Sequence, residues 1–423
     1  MRRDVFALLL GLFVSIFVVS CEEEKIEKPD ADSIEELQEI LEAWYLWNDE
    51  LPTIESENYD NPIELMNAVR YLPQDRWSYV TTIAEFEAYY ESGAYVGYGY
   101  SQGFDVDGKL RVVYVFEDSP LQEYGVERGW VIQKINNEII TTSSDINALL
   151  GPDTPGLVTD FVFINPDGDL VTASVAKREI TMNTVLHTEI KEVGASKVGY
   201  LVFKSFIGPS IDELNEAFSY FKTHNVDELI LDLRYNGGGR MDVTSHLAGL
   251  IAPKSLEGEI FAQYEHNTLR ESENSSYPFE ISDTTLALDR LYVIATRNTA
   301  SASEALINGL DPFIDVYVVG DDTYGKPVGM YVFYSEEDYY AYVPVTFRIS
   351  NANGYGAYFE GLATSAYASD NITVEFGSIN EDCFATALGH IETGSFPSLK
   401  SSGEIFHLPR KEYNSLKDEI GAQ

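Results

Sequence analysis

The chain has 423 residues, 44% of them hydrophobic and 23% charged, with a formal net charge of −41. That length supports two or three domains and a large core. The acid is spread along the chain rather than confined to one tail, which argues against nucleic acid or an anionic membrane surface as a partner and describes a solubilising surface.

Met1-Arg-Arg3 is a basic start, and residues 5–19 are an apolar run of 15 residues, short for a membrane-spanning helix and suited to a signal-peptide core. Val18-Val19-Ser20-Cys21 then matches a lipobox. Residues 1–20 therefore read as a lipoprotein signal peptide and Cys21 as a lipidated N-terminus, with an uncleaved anchor or conventional signal peptide as the alternative. The expected location is the bacterial cell envelope, on the outer membrane, periplasm-facing or surface-exposed. Residues 21–32, with the acidic Glu22-Glu23-Glu24, read as a flexible tether. Lipidation of Cys21 would leave Cys383, the other of two cysteines, without a disulfide partner. Cys383 lies in an apolar helical pattern and reads as a core thiol. The six histidines are scattered without metal-ligand spacing, so no metal and no cofactor is expected.

Residues 33–92 read as helical. Ser33-Ile34-Glu35-Glu36 has the form of a capping box, and Leu37, Ile40, Leu41, Trp44 and Tyr45 recur at helical spacing. A second helix follows Asn61-Pro62, with Ile63, Leu65, Met66, Val69 and Leu72 as its apolar face. Asp75-Arg76-Trp77-Ser78-Tyr79 reads as a structural corner. Phe86, Tyr89 and Tyr90 mark a further short helix. Residues 95–180 change to strands and glycine turns, from Val96-Gly97-Tyr98-Gly99-Tyr100 through an apolar strand over 110–116 to Gly129-Trp130-Val131-Ile132. Residues 183–415 alternate strands and helices, the pattern of an α/β domain. Residues 331–347 read as a hairpin.

Two clusters in this last region carry chemistry. The strand over 229–234 breaks into Tyr235-Asn236-Gly237-Gly238-Gly239, a triplet that can present backbone N–H groups to a ligand; a tight strand-to-helix turn is the plainer reading. Thr299-Ala300-Ser301-Ala302-Ser303-Glu304 lies between a buried strand over 290–296 and a helix from 303 to 310. Ser301 would sit where free N–H groups favour an oxyanion, although a simple N-cap with Glu304 completing a capping box fits the same residues. Lys326 follows 25 residues later, in Thr323-Tyr324-Gly325-Lys326.

Leu-Asp-Leu-Arg-x-Asn-x-Gly-Gly, then Ser-Ala-Ser-Glu, then Gly-Lys, in this order, resembles the carboxyl-terminal processing peptidases of family S41, over roughly residues 35 to 395. The resemblance implies a multidomain α/β (α+β) protein: an N-terminal helical segment, a PDZ-like β-domain over 95–180 and a ClpP/crotonase-like catalytic domain over 183–415. It implies a serine endopeptidase acting on protein or peptide substrates through a catalytic Ser301–Lys326 dyad. Lys326 would have to be neutral near pH 7, well below the ordinary value of ~10.4, and Asp321 and Asp322 would have to point away from it. The oxyanion donors would be the N–H groups of Gly238 and Ala302. Gly97, Tyr98, Gly99 and Tyr100 would form the loop that captures a peptide C-terminus, with the peptide adding beside the following strand. Several family features are altered: Leu121 and Trp130 depart from the PDZ motif, Met330 stands where an accessory glutamine is usual, and Pro312 where an aspartate is usual. A catalytically weak or inactive peptide-binding lipoprotein is the alternative, and an apolar-ligand carrier a weaker third.

Overall fold

The computed structural model describes residues 31–72, 74–397 and 415–423. The signal segment, Cys21 and most of the tether lie outside them. The expected α/β character holds. A six-stranded sheet runs in the order Val185–Val193, Ser196–Phe203, Glu228–Asp232, Arg290–Ala295, Asp315–Gly320 and Ala366–Tyr367. The first pair is antiparallel and the remaining pairs are parallel. Parallel strands covered on both faces need apolar residues throughout rather than in alternation. Leu201, Leu231 and Val293 face helices Ser210–Thr223, Met241–Ile251 and Ala302–Leu310. Tyr200, Ile230 and Ile294 point the other way, onto Cys383, Phe384 and Ala387 of helix Asp382–Thr393. Cys383 is thus a core thiol, and burial pushes it well above its ordinary range.

Three neighbouring parallel strands, Glu228–Asp232, Arg290–Ala295 and Asp315–Gly320, end on the same edge of this sheet. The glycine triplet, the Ser301 turn and the Lys326 loop follow them directly. Loops at the carboxyl ends of parallel strands are where such sheets build sites. A four-stranded antiparallel sheet, Ser275–Pro278, Ile260–His266, Val345–Ser350 and Val328–Met330, abuts them and receives the chain just after Lys326.

The N-terminal region departs from the helical expectation in three places. Its first helix already includes Ala31 and Asp32, inside the expected tether, so Ser33 is a buried residue of the helix and not its cap. Its second helix is Pro62–Val69; Leu65, Met66 and Val69 are buried, but Ile63 in its first turn faces solvent, and Leu72 lies beyond its end and is exposed. Tyr79–Thr82 is a strand, paired antiparallel with Tyr340–Val343. The preceding corner is tied by Asp75, whose carboxylate accepts from the N–H groups of Trp77 and Ser78 and from Tyr45 Oη.

The β-rich unit is a sheet in the order Tyr100–Phe104, Leu110–Val115, Val131–Ile135, Val158–Ile164 and Leu170–Ala176. Ala94–Gly97 and Arg178–Thr181, paired antiparallel, form its entrance and exit. Arg128 joins it to the α/β part, donating to Val113 O on one side and to Val374 O and Asp370 on the other. Asp370 also receives Arg234, whose buried guanidinium pairs with Asp232 and Glu381 as well. Burial alone would raise the Asp370 carboxyl, but Arg234 and Arg128 hold it below the usual carboxylate range.

Arg234→Met leaves three buried carboxylates short of a cation. It should cost about 3–5 kcal/mol in urea denaturation; a loss below about 1 kcal/mol would contradict this. Because the folded value of Asp370 is depressed, its stabilisation is present above pH ~4 and fades as pH falls through the folded value. The urea midpoint of the unmutated chain should therefore drop on acidification more than that of Asp370→Asn.

Candidate active site

The turn that carries Ser301 is tied to the glycine-triplet turn beside it. Thr296 Oγ1 donates to Arg234 O at 2.7 Å, Thr299 Oγ1 to Leu233 O at 2.8 Å and Ser303 Oγ to Asn236 O at 3.2 Å. The Ala300 N–H donates to the same Asn236 carbonyl at 3.2 Å. Ser301 itself takes φ 54° and ψ −114°, a conformation rare for a residue with a side chain and costing about 1–3 kcal/mol. Helix Ala302–Leu310 begins at the next residue, so the Ala302 N–H lies in a first helical turn, where amides have no intrahelical acceptor. Gly238 packs against this turn with φ +109°; a Cβ there would stand 2.8 Å from Ser301 Cβ. Its N–H donates to Asn236 Oδ1 at 2.9 Å.

Glu304 joins Ser301 to Lys326. Its side chain is fully buried and accepts from the Ser301 N–H at 3.0 Å, Thr323 Oγ1 at 2.5 Å, the Gly325 N–H at 2.7 Å and the Lys326 N–H at 2.8 Å. Burial pushes its carboxyl up, against the pull of these donors. Gly325 has φ +94°, and a Cβ there would strike Phe359 O, so the lysine loop can pass only as glycine. The capping-box signature was visible in the sequence. The reach of the same carboxylate to residues 323–326 was not, because it depends on the two strands being neighbours. The Asn236 bridge escaped the sequence reading for the same reason.

Ser301 and Lys326 line one cavity of about 430 Å³, with Gly237, Gly239, Met330 and Tyr331 among its walls. Lys326 is only 4% exposed. Asp321 pairs with Arg297 at 3.3 Å, and Asp322 accepts from the Thr364 N–H and Tyr367 Oη. Met330 lies in the cavity wall, where a thioether cannot donate a hydrogen bond to orient an amine. Gly97, Tyr98, Gly99 and Tyr100 lie apart from this cavity, at the start of the β-rich unit. The N–H groups of Tyr98, Gly99 and Tyr100 all donate to the main-chain oxygen of Gln423, at 2.9, 2.8 and 3.3 Å.

Glu304→Gln keeps the shape of the side chain but turns an amide N–H₂ towards backbone donors. It should cost about 2–4 kcal/mol of stability and, by displacing Ser301 and Lys326, about 10²-fold in turnover. Thermal unfolding and peptide-cleavage assays read the two effects. Glu304→Gln with native stability and native turnover would remove Glu304 from its positioning role.

A model of peptidase family S41 matches residues 197–355, and one of the peptidase S41 N-terminal domain matches residues 37–79. The chain is 28% identical over 246 residues to the chloroplastic carboxyl-terminal-processing peptidase 2 of Arabidopsis thaliana, covering 55% of this chain and 46% of that protein. It is 25% identical over 238 residues to the carboxy-terminal processing protease CtpB of Bacillus subtilis, covering 55% and 47%. The chain spans about half the length of these curated relatives. Among solved structures, a Bacteroides fragilis protein described as an S41 protease superposes with a TM-score of 0.69 at 23% identity, over 85% of this chain and 97% of that one. The photosystem II D1 C-terminal processing protease superposes with a TM-score of 0.50 at 17% identity, over 80% and 92%. Residues 197–355 are thus similar to the peptidase S41 domain and residues 37–79 to its N-terminal domain, in a fold shared with a solved S41 protease.

Proposed function

We propose that this protein is a serine endopeptidase of the carboxyl-terminal processing type, with Ser301 as nucleophile and Lys326 as its base. The observation that carries the reading is the shared cavity: Ser301 and Lys326 both line it, and one buried carboxylate holds the backbone of each. A lysine at 4% exposure carries its charge only at a desolvation cost, which favours the neutral amine that the chemistry needs. In the reaction, Lys326 Nζ takes the Ser301 Oγ proton as Oγ attacks the peptide carbonyl carbon. The oxyanion is met by the Ala302 N–H and by a glycine-triplet N–H. The tetrahedral adduct collapses as the proton passes to the leaving amine, and water then hydrolyses the acyl-enzyme by the same steps. Gly238 donates to Asn236 in this resting arrangement. Its use as an oxyanion donor requires that bond to yield, and Gly237, which lines the cavity, is the neighbouring alternative.

The β-rich unit would serve this chemistry as a PDZ-like module. Three consecutive N–H groups at 98–100 converge on one acceptor, the geometry that captures a chain end. The physiological substrates are proteins or peptides. The lipobox at 18–21 supports an envelope lipoprotein held to the membrane through Cys21.

Ser301→Ala, Lys326→Ala and the double variant should each lose roughly 10³-fold or more in cleavage of an unstructured polypeptide, by similar amounts, because the pair acts as one unit. The rate of the unmutated enzyme should rise with pH as the lysine deprotonates. Lys326→Ala cleaving at the unmutated rate would require a different base. Separately, Cys21→Ala should release the protein from the membrane fraction or leave its precursor uncleaved; unchanged processing and fractionation would exclude lipidation.

A further inference from the structure

The loop formed by Gly97, Tyr98, Gly99 and Tyr100 is already filled, and its occupant belongs to the same chain. Residues 415–423 run as a short helix, Leu416–Ile420, capped by Ser415, whose Oγ accepts from the Asp418 N–H. Gly421, at φ +61°, turns the chain out of this helix into the groove. Beyond the three amides on the Gln423 oxygen, the Gln423 N–H donates to Tyr100 O at 2.7 Å, so the segment adds to the edge of strand Tyr100–Phe104. Ser101 Oγ and Tyr114 Oη donate to Gly421 O at 3.1 and 3.3 Å, and Tyr95 Oη donates to Gln423 O at 3.3 Å. A Cβ on Gly97 would stand 2.6 Å from Tyr95 Cε2 and 2.8 Å from the Gln423 carbonyl carbon, so the glycine leaves room for both the Tyr95 ring and the occupant.

Side chains fix the register. Ala422 is 6% exposed and Leu416 8%, both within an apolar cluster with Tyr114, Phe116 and Ile180. Lys417 pairs with Asp153 at 2.7 Å, beside Lys177, and the two lysines hold the Asp153 carboxyl below its usual range against its burial. The same apolar cluster takes in Phe86, Tyr90, Met330 and Val332, which also line the Ser301–Lys326 cavity. The filled groove and the candidate active site are therefore contiguous through one packed layer.

We propose that residues 415–423 are a built-in ligand of the 97–100 groove, and that an external peptide end reaches the groove only by displacing them. The inference rests on the reading of that groove as a peptide-end site. The occupant also defines the class of competitor: a segment with a main-chain oxygen in the amide nest, a small apolar residue before it and a glycine-compatible turn before that. Such a tether acts as a high local concentration of ligand, so an external peptide sees only the fraction of molecules whose groove is open.

The test uses a labelled peptide, Ser-Leu-Lys-Asp-Glu-Ile-Gly-Ala-Gln, with a free carboxylate or an amide, and proteins carrying Ser301→Ala so that none is cleaved. Three forms are compared: the full chain, the chain lacking residues 415–423, and the full-length chain with Ala422→Glu, which keeps the segment but cannot bury its penultimate side chain. Both altered forms should bind the carboxylate peptide about tenfold or more tightly than the full chain, and the amide more weakly. In hydrogen exchange, the amides of 98–100 should be protected in the full chain, exposed in the shortened one, and protected again by the peptide. Equal affinity in all three proteins, no binding to any, or unprotected 98–100 amides in the full chain would overturn the inference. A protein that shows the gain in binding yet cleaves nothing with Ser301 restored would keep this inference and lose the peptidase reading.

Discussion

The candidate active site depends on one buried carboxylate. Glu304 sits in the first turn of the helix after Ser301 and accepts four hydrogen bonds, one from the Ser301 amide and three from the loop that ends in Lys326. A carboxylate has room for about four donors, and a buried one is stabilised only when they are supplied. That requirement fixes the relative position of two loops more than twenty residues apart. It also compensates the unfavourable backbone of Ser301, whose N–H is one of the four donors. Position, rather than proton transfer, is the role this geometry gives Glu304.

The sheet beneath makes such convergence available. Adjacent parallel strands end together, so three loops remote in sequence share one edge, and the buried Arg234 network braces the first of them from below. The same arginine meets Asp370, and Asp370 meets Arg128 of the β-rich unit. The two parts of the molecule are thus joined by charges that are buried and paired, an arrangement that is costly to break from one side only.

Much of the architecture was legible because its signals are local. The apolar strands read over 229–234 and 290–296 and the helix read from 303 lie within two residues of the observed elements, because apolar runs and turn chemistry announce them. What escaped depends on partners distant in sequence. Tyr79–Thr82 is a strand because Tyr340–Val343 lies beside it, and no pattern within 33–92 announces that pairing. Leu72 fits a helical face, yet the helix ends at Val69 and leaves it exposed. The seating of 415–423 in the 97–100 loop spans more than three hundred residues and rests on backbone groups, which carry no sequence signature.

Covalent trapping tests directly whether Ser301 is a nucleophile that Lys326 activates. The full-length chain would be treated with a fluorophosphonate and the modified residue mapped by mass spectrometry, alongside Lys326→Ala. A single phosphonylated residue, Ser301, is expected, with labelling that quickens as pH rises and nearly disappears without Lys326. Labelling of another residue, or labelling of Ser301 at an unchanged rate in Lys326→Ala, would contradict it.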